Sequence, residues 1–312
     1  MIFNIDSHDS GRTVLSFLKS RLKISSSALA ALKRDERGIL ANGSHVTVRY
    51  VLNEGDVLSI NEKDSSENVN EAVEPHEIPL NVIFESNDII VVDKPPYMPT
   101  HPSHNHTDDT LANGIAYIYE QRGDPLVFRP IGRLDRNTSG ISLIAKNAIS
   151  ASYLSYGRRH GMIKKKYIAI LDGCIDSDGS IQTISTYMKR TEDSVIMRCV
   201  SDAENEGSIS AVTHWRLLWS GCGISVVEAM PETGRTHQLR VHFAHIGHHI
   251  LGDDVYGYPH PLIGRHALHA GSLSIPMPYT DNITEFSSLP PSDMQNLFNS
   301  LTGLDLNDFI GK

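Results

Sequence analysis

The feature that most constrains this chain is an acidic, polar stretch from Glu62 to Glu77 (EKDSSENVNEAVEPHE), which splits it into two unequal lengths. Six acids against one lysine, with almost no large apolar side chain, cannot bury enough surface to order themselves, so the stretch reads as a linker. The expected organisation is a small domain over 1–61, a linker over 62–77 and a large domain over 78–312. At 40% hydrophobic residues the larger piece can build a sizeable core. The formal net charge of −9 speaks at first against a nucleic-acid partner, yet it is unevenly spread. Residues 1–61 are net +2, the linker −5, the tail 279–312 −4, and 78–278 only −2, so a polyanionic partner stays open.

No run of about 18 uninterrupted apolar residues occurs, which speaks against a transmembrane helix. The opening Met-Ile-Phe-Asn-Ile-Asp lacks a basic start and a small-residue cleavage site, so no secretory signal is expected. Cys174, Cys199 and Cys222 are odd in number, widely spaced and without a CxxC, which predicts reduced thiols and a cytoplasmic protein.

Within 1–61, Val14, Leu15, Phe17 and Leu18 have helical spacing, and Ile24-Ser-Ser-Ser reads as the cap of a second helix carrying Leu29, Leu32, Lys33 and Arg34. Asn42-Gly43 predicts a two-residue hairpin turn, with Ile39-Leu40 before it and Val46, Val48 and Tyr50 alternating after it. Two helices and small strands with a slight positive charge resemble the S-four-type RNA-binding module of ribosomal proteins; a small α+β domain with no ligand is the plainer alternative.

After the linker, β-branched runs dominate: Ile78–Phe84, Ile89–Asp93, Ile141–Ala145, Tyr167–Leu171 and Ile224–Ala229. Helical patterns cover 111–121, 148–160, 237–246 and 291–301. The predicted class is α+β: a mixed, mainly antiparallel sheet with peripheral helices, preceded by the small α+β S-four-like domain.

Four clusters carry chemistry. Asp93-Lys94-Pro95-Pro96 ends an apolar strand and reads mainly as a strand exit. Gly132-Arg-Leu-Asp-Arg-Asn-Thr-Ser-Gly140 places Asp135 between Arg133 and Arg136, whose positive field favours an ionised carboxylate. Asn-Thr-Ser-Gly is turn chemistry that would present this carboxylate, a competent nucleophile, at a strand edge. A surface ion-pair turn is the alternative reading. Five cations between Arg158 and Lys166 run into Tyr167, a combination suited to a phosphate backbone and a stacked base. Finally, Glu232-Thr-Gly-Arg-Thr-His-Gln-Leu-Arg-Val-His opens a helix, with Thr236 the expected N-cap, and Gly252-Asp-Asp-Val-Tyr-Gly follows. Eight of the sixteen histidines lie between His237 and His269, but neither an HExxH motif nor a thiolate pair accompanies them. Packing and hydrogen bonding are their expected roles, and no metal is expected.

Taken in order, these pieces, with Lys165-Lys-Tyr and Arg265-His-Ala-Leu-His-Ala, resemble the RluA-type family of pseudouridine synthases from about Ile78 to Leu297. Gly132 stands where many members carry histidine. The resemblance implies an RNA uridine isomerase that detaches a uracil from its ribose, turns it and rejoins it through carbon 5, without cofactor or metal. It implies Asp135, Tyr167 and Arg240 as catalytic residues, with Arg240 paired to Asp135, and Tyr167 stacked on the base and accepting a proton. Arg133 would fill the gap left by the flipped uridine. Arg136, Lys165, Arg235, His237, Lys33 and Arg34 are the remaining RNA contacts, with Lys165 against phosphate or the active-site carboxylate. The implied partner is structured RNA (rRNA or tRNA), for a monomer with no membrane association and no obligate protein partner. A non-catalytic RNA-binding protein and a histidine-based metal hydrolase are the competing readings.

Overall fold

The computed structural model describes residues 1–62, 73–123, 127–191, 194, 197–201, 207–280 and 282–311. Residues 63–72 of the expected linker lie outside them.

The N-terminal unit holds strands β1 (Ile2–Asn4), β2 (Ile39–Ala41), β3 (Ser44–His45) and β4 (Val57–Ile60) and helices α1 (Val14–Arg21) and α2 (Ser26–Arg34). The strands form an antiparallel sheet in the order β1-β4-β2-β3. Ser25 caps α2 as its sequence predicts, its side chain accepting from the Ala28 N–H. Asn42 and Gly43, at φ +52° and +80°, make the two-residue turn between β2 and β3. The expected strand through Val46, Val48 and Tyr50 does not form. The Val48 and Tyr50 carbonyls accept instead from the Leu15 and Val14 N–H groups, supplying donors at the start of α1 that have no partner within the helix.

The large unit is one 11-stranded sheet. Its path runs β11 (Arg198–Ser201), β10 (Gln182–Arg190), β12 (Ile209–Gly221), β13 (Ile224–Pro231), β9 (Lys164–Asp172), β14 (Leu268–Pro276), β8 (Ser139–Ala145), β6 (Ile89–Lys94) and β5 (Asn81–Glu85). β7 (Arg129–Pro130) pairs with β8, and β15 (Ile283–Ser287) with β14. Among the described residues every pairing is antiparallel except β8 with β14. The sheet is therefore mixed and mainly antiparallel, as the sequence implies.

The run Ile89-Ile-Val-Val is apolar throughout because β6 is covered on both sides. Ile90 and Val92 pack with Leu111 and Ile115 of α3 (Leu111–Gln121), while Ile89 and Val91 pack with Leu154 of α4 (Ala148–Arg159). Elsewhere on the sheet, Leu239 and Phe243 of α5 (Gln238–His245) and Met294, Leu297 and Phe298 of α6 (Ser292–Thr302) bury the central strands.

The far end of the expected linker belongs to the large unit. Asn113 Nδ2 donates to the Glu74 carbonyl at 2.7 Å, and the His76 N–H donates to Asn113 at 3.3 Å. Gly114 permits that approach, since a Cβ there would lie 2.9 Å from Leu80. The two units also touch directly: Ile149 of α4 completes the core around Val14, Phe17 and Leu18, and the Ser152 hydroxyl donates to Ser25 Oγ at 3.0 Å.

Candidate active site

The loop before β8 carries Asp135 and is fixed at nearly every residue. Thr100 Oγ1 donates to the Leu134 carbonyl (3.2 Å), the Thr138 N–H to that of Asp135 (3.0 Å), Lys94 Nζ to that of Arg136 (3.2 Å) and Arg265 Nη1 to that of Asn137 (3.0 Å). Thr138 Oγ1 and His266 Nε2 share a hydrogen bond of 2.8 Å. Gly140 closes the loop at φ +110°, where any side chain would collide with the Ala270 backbone of β14. A loop held this way can present one carboxylate in one geometry without reorganising.

Two buried cations do much of this holding. Lys94, fully buried at the end of β6, also donates to the Pro95 and Met98 carbonyls at 3.0 and 2.9 Å, so three donors meet three acceptors. Burial, with Arg265 nearby, draws its pKa down to about 7. Arg265, also fully buried, makes a bidentate pair with Asp293 at the start of α6 and donates to the carbonyls of His266 and Leu268 at 3.1 Å.

The pairing order of the sheet brings in Tyr167. Gly140 of β8 faces Ala270 of β14, and Ala270 faces Tyr167 of β9, so the aspartate loop and the tyrosine stand at one rim although 32 residues separate them. Tyr167 is buried, and that burial together with the Asp135 charge raises its hydroxyl pKa. The hydroxyl therefore stays protonated near neutral pH, and the ring face, more than a proton acceptor, is what Tyr167 offers. Replacement by Leu is accordingly expected to lower kcat/KM more than replacement by Phe. The gap should be about 1–3 kcal/mol, the usual worth of base stacking, or about 5- to 150-fold. Equal losses in the two variants would return the role to the hydroxyl.

Arg240 corrects an expectation. Its guanidinium, 5% exposed, forms a bidentate pair with the fully buried Asp253 (both contacts 2.7 Å) and lies 5.0 Å from the centre of the Tyr256 ring. Asp253 is its direct partner; Asp135 acts on it only as a nearby charge that helps to raise its pKa. Among the described residues the basic side chain within 4.0 Å of the Asp135 carboxylate is His237, whose Nε2 stands at that distance from Oδ2, while its Nδ1 bonds the Tyr256 hydroxyl at 2.9 Å. Burial lowers the His237 pKa, against the pull of Asp135. His237, at φ +58°, is also the residue that precedes α5, displacing the expected Thr236 cap. Gln238 orders this turn with four hydrogen bonds: it accepts from Thr233 Oγ1 and the Arg235 N–H and donates to the Val212 carbonyl and Thr213 Oγ1.

The arginines flanking Asp135 do not pair with it. Arg136 Nε donates to the Tyr97 carbonyl at 3.3 Å, and Arg133 is exposed, makes no ion pair among the described residues and lies near His101. Arg240 and Lys94, both remote in sequence, do feel the Asp135 charge, which favours their protonated forms. Lys165 has no carboxylate within ion-pair distance among the described residues. The charge that bears on it is Arg158, which with burial lowers its pKa to about 8, and both flank Gly132. Arg235 is exposed and donates to the Ser210 carbonyl at 2.9 Å. Lys33 and Arg34 lie on the exposed last turn of α2, in the other unit.

Six of the eight histidines between 237 and 269 hold side-chain hydrogen bonds. His242 bonds Thr213 and Thr186, and His269 donates from Nε2 to the Ser288 carbonyl while bonding Ser139 through Nδ1. Among the described residues the one close group of three side chains suited to a metal is Asp6, His8 and Asp9, in the N-terminal unit. The three cysteines are free, and no described helix is long and apolar enough to cross a membrane.

Lys94, Asp253, Tyr256, Arg265 and His266 received no role from sequence. A lysine ending an all-apolar strand beside two prolines was a signal for the first. Their places in Gly252-Asp-Asp-Val-Tyr-Gly and Arg265-His-Ala-Leu-His-Ala were a signal for the others, but nothing in the sequence said which charge each would meet.

A carboxylate on a fixed loop, at the same rim as an aromatic ring and within the field of cations from β6 and α5, suits an enzyme that acts on a nucleobase. Residues 88–245 match the family described as RNA pseudouridylate synthase. A Bacillus subtilis protein named uncharacterized RNA pseudouridine synthase YjbO is 36% identical across 88% of this chain and 95% of its own. Ribosomal large subunit pseudouridine synthase D of Zymomonas mobilis is 35% identical across 73% and 74%. Human RNA pseudouridylate synthase domain containing 1 superposes with a TM-score of 0.57 at 29% identity, covering 74% of this chain and 92% of that one. The chain belongs to the RNA pseudouridylate synthase family, within its RluA-type branch, a family of enzymes that isomerise uridine in RNA.

Proposed function

We propose that this protein isomerises particular uridines of ribosomal or transfer RNA, with Asp135 as the nucleophile and the target base flipped out to stack on Tyr167. In that reading the bond between the sugar C1′ and N1 of uracil breaks, the base turns, C5 bonds to C1′, and the C5 proton is lost while N1 gains one. The atoms balance with no redox partner. A single carboxylate can carry the sugar through this exchange, where a glycosidase generally needs two. Arg240, held by Asp253, keeps positive charge near the carboxylate as a positioning residue, and Arg133, exposed beside the loop, fills the space left by the extruded nucleotide. Extrusion costs a few kcal/mol, which stacking on Tyr167 and polar contacts offset.

The observation that carries this reading is the Asp135 carboxylate, one-third exposed on a clamped loop, near the charge of Arg240 and at the rim shared with Tyr167. A ribosomal substrate is favoured by the relative named for the large subunit. RNA contact by the N-terminal S-four-like unit, action in the cytoplasm and action as a monomer belong to the same proposal. The test is to map pseudouridine across total RNA from cells with and without the gene. One or a few positions should revert fully to uridine in its absence; unchanged maps in both rRNA and tRNA would overturn the proposal.

A further inference from the structure

We propose that the cleft between α1–α2 and α4 is a second RNA site, which grips the phosphate backbone of the substrate away from the flipped uridine. This rests on the isomerase reading above and adds to it a place where both units hold the same RNA.

The cleft has a volume of 590 Å³, and four cations line it: Lys19 and Lys23 from the N-terminal unit, Arg129 and Arg159 from the large one. No carboxylate is among its described lining residues, in a chain whose net charge is −9. Serine hydroxyls from both sides, Ser27 and Ser155 among them, add neutral donors. Such a composition suits a polyanion and offers little to an apolar ligand.

The cleft is built, not an accident of two units lying near each other. Lys23 sits at φ +50°, a strained conformation for a side chain of its size, and its Nζ lies 5.1 Å from the centre of the Tyr156 ring across the junction. The Ser152–Ser25 hydrogen bond and the insertion of Ile149 into the N-terminal core fix the same junction.

It is also connected to the active site. Arg129 starts β7, six residues before Asp135 in the same segment. Arg158, next to Arg159 on α4, reaches Gly132: a Cβ there would lie 3.4 Å from its Nη1 and 3.8 Å from Lys165 Nζ. Neither Arg158 nor Lys165 has a carboxylate partner among the described residues, and each disfavours the other's charge. A bound phosphate would relieve that repulsion. The cations thus run from the cleft, past Gly132, to the loop of Asp135. They also give the N-terminal unit a basic surface that Lys33 and Arg34 alone do not supply, since neither lines the cleft.

The experiment measures binding of the full chain to an unmodified transcript of large-subunit ribosomal RNA over a series of salt concentrations, with pseudouridine formation assayed on the same preparations. Lys19→Glu/Arg159→Glu removes two cleft cations at exposed positions. Arg37→Glu/Arg49→Glu makes the same change in net charge elsewhere on the N-terminal unit. The cleft pair is expected to lower affinity about tenfold or more and to flatten the slope of log K against log salt by about 2, with the control pair near wild type. An unchanged slope for the cleft pair, or equal losses in both pairs, overturns the cleft while wild-type isomerisation leaves the proposed function standing. A wild-type protein that neither binds nor isomerises this RNA, or total RNA from cells lacking the gene, overturns both.

Discussion

Asp135→Asn is expected to lower pseudouridine formation by on the order of 10⁴-fold or more while RNA affinity stays within a few-fold of wild type. Asparagine fills the same volume, and the contacts that fix the loop come from backbone carbonyls and Thr138, not from the Asp135 side chain. The loop should therefore keep its shape while its one nucleophilic oxygen is lost. Single-turnover assays on RNA from cells lacking the gene, beside a binding titration, separate the two quantities. Activity within tenfold of wild type would remove Asp135 from the chemistry. Loss of binding in parallel would instead give it a structural role.

The second large effect is expected at Asp253, which sequence reasoning left without a role. Its carboxylate is fully buried and holds the Arg240 guanidinium bidentately, while also accepting from the Val255 and Tyr256 N–H groups at 3.0 Å. Removing one member of a buried pair leaves the other charge uncompensated, at a cost of about 3–5 kcal/mol. Asp253→Asn should thus unfold at clearly lower urea concentration than wild type. It should also lose turnover, because Arg240 would no longer be held in place near Asp135. The pH dependence follows from the same pair. Burial alone would raise the Asp253 pKa, but the Arg240 fork and charge and the two N–H groups outweigh it, so the folded value lies below the ordinary one. That stabilisation is present above the unfolded pKa of about 4 and fades as pH falls through the lower folded value. The stability gap between wild type and Asp253→Asn should be full at pH 7 and close in strongly acidic buffer. A constant gap across that range would show that the pair is not its source.

Much of the site was legible in the chain. Arg133-Leu-Asp-Arg-Asn-Thr-Ser-Gly marked Asp135 as presented at a strand edge, and Gly140 does take the left-handed backbone there. Tyr167 at the end of a basic run was readable as a ring beside cations. The pairing of charges was not. Arg133 and Arg136 flank Asp135 in sequence, yet neither forms an ion pair with it, while the distant Lys94 and Arg240 both feel its charge. The strands rich in Thr, Ser and His, β10 and β12, also escaped notice. Their inward positions hold Thr186 and Thr213 hydroxyls that bond His242, so the apolar alternation that marks a half-buried strand is broken.

Local spacing alone settled where this chain bends, which runs are helices, and which carboxylate is displayed, since turn chemistry and side-chain period act over a few residues. Only the assembled sheet decided which charges face one another. The parallel contact of β8 with β14 and the antiparallel one of β14 with β9 bring together residues more than a hundred positions apart, and the energy of a buried ion pair depends on how close its charges come and on the water they exclude.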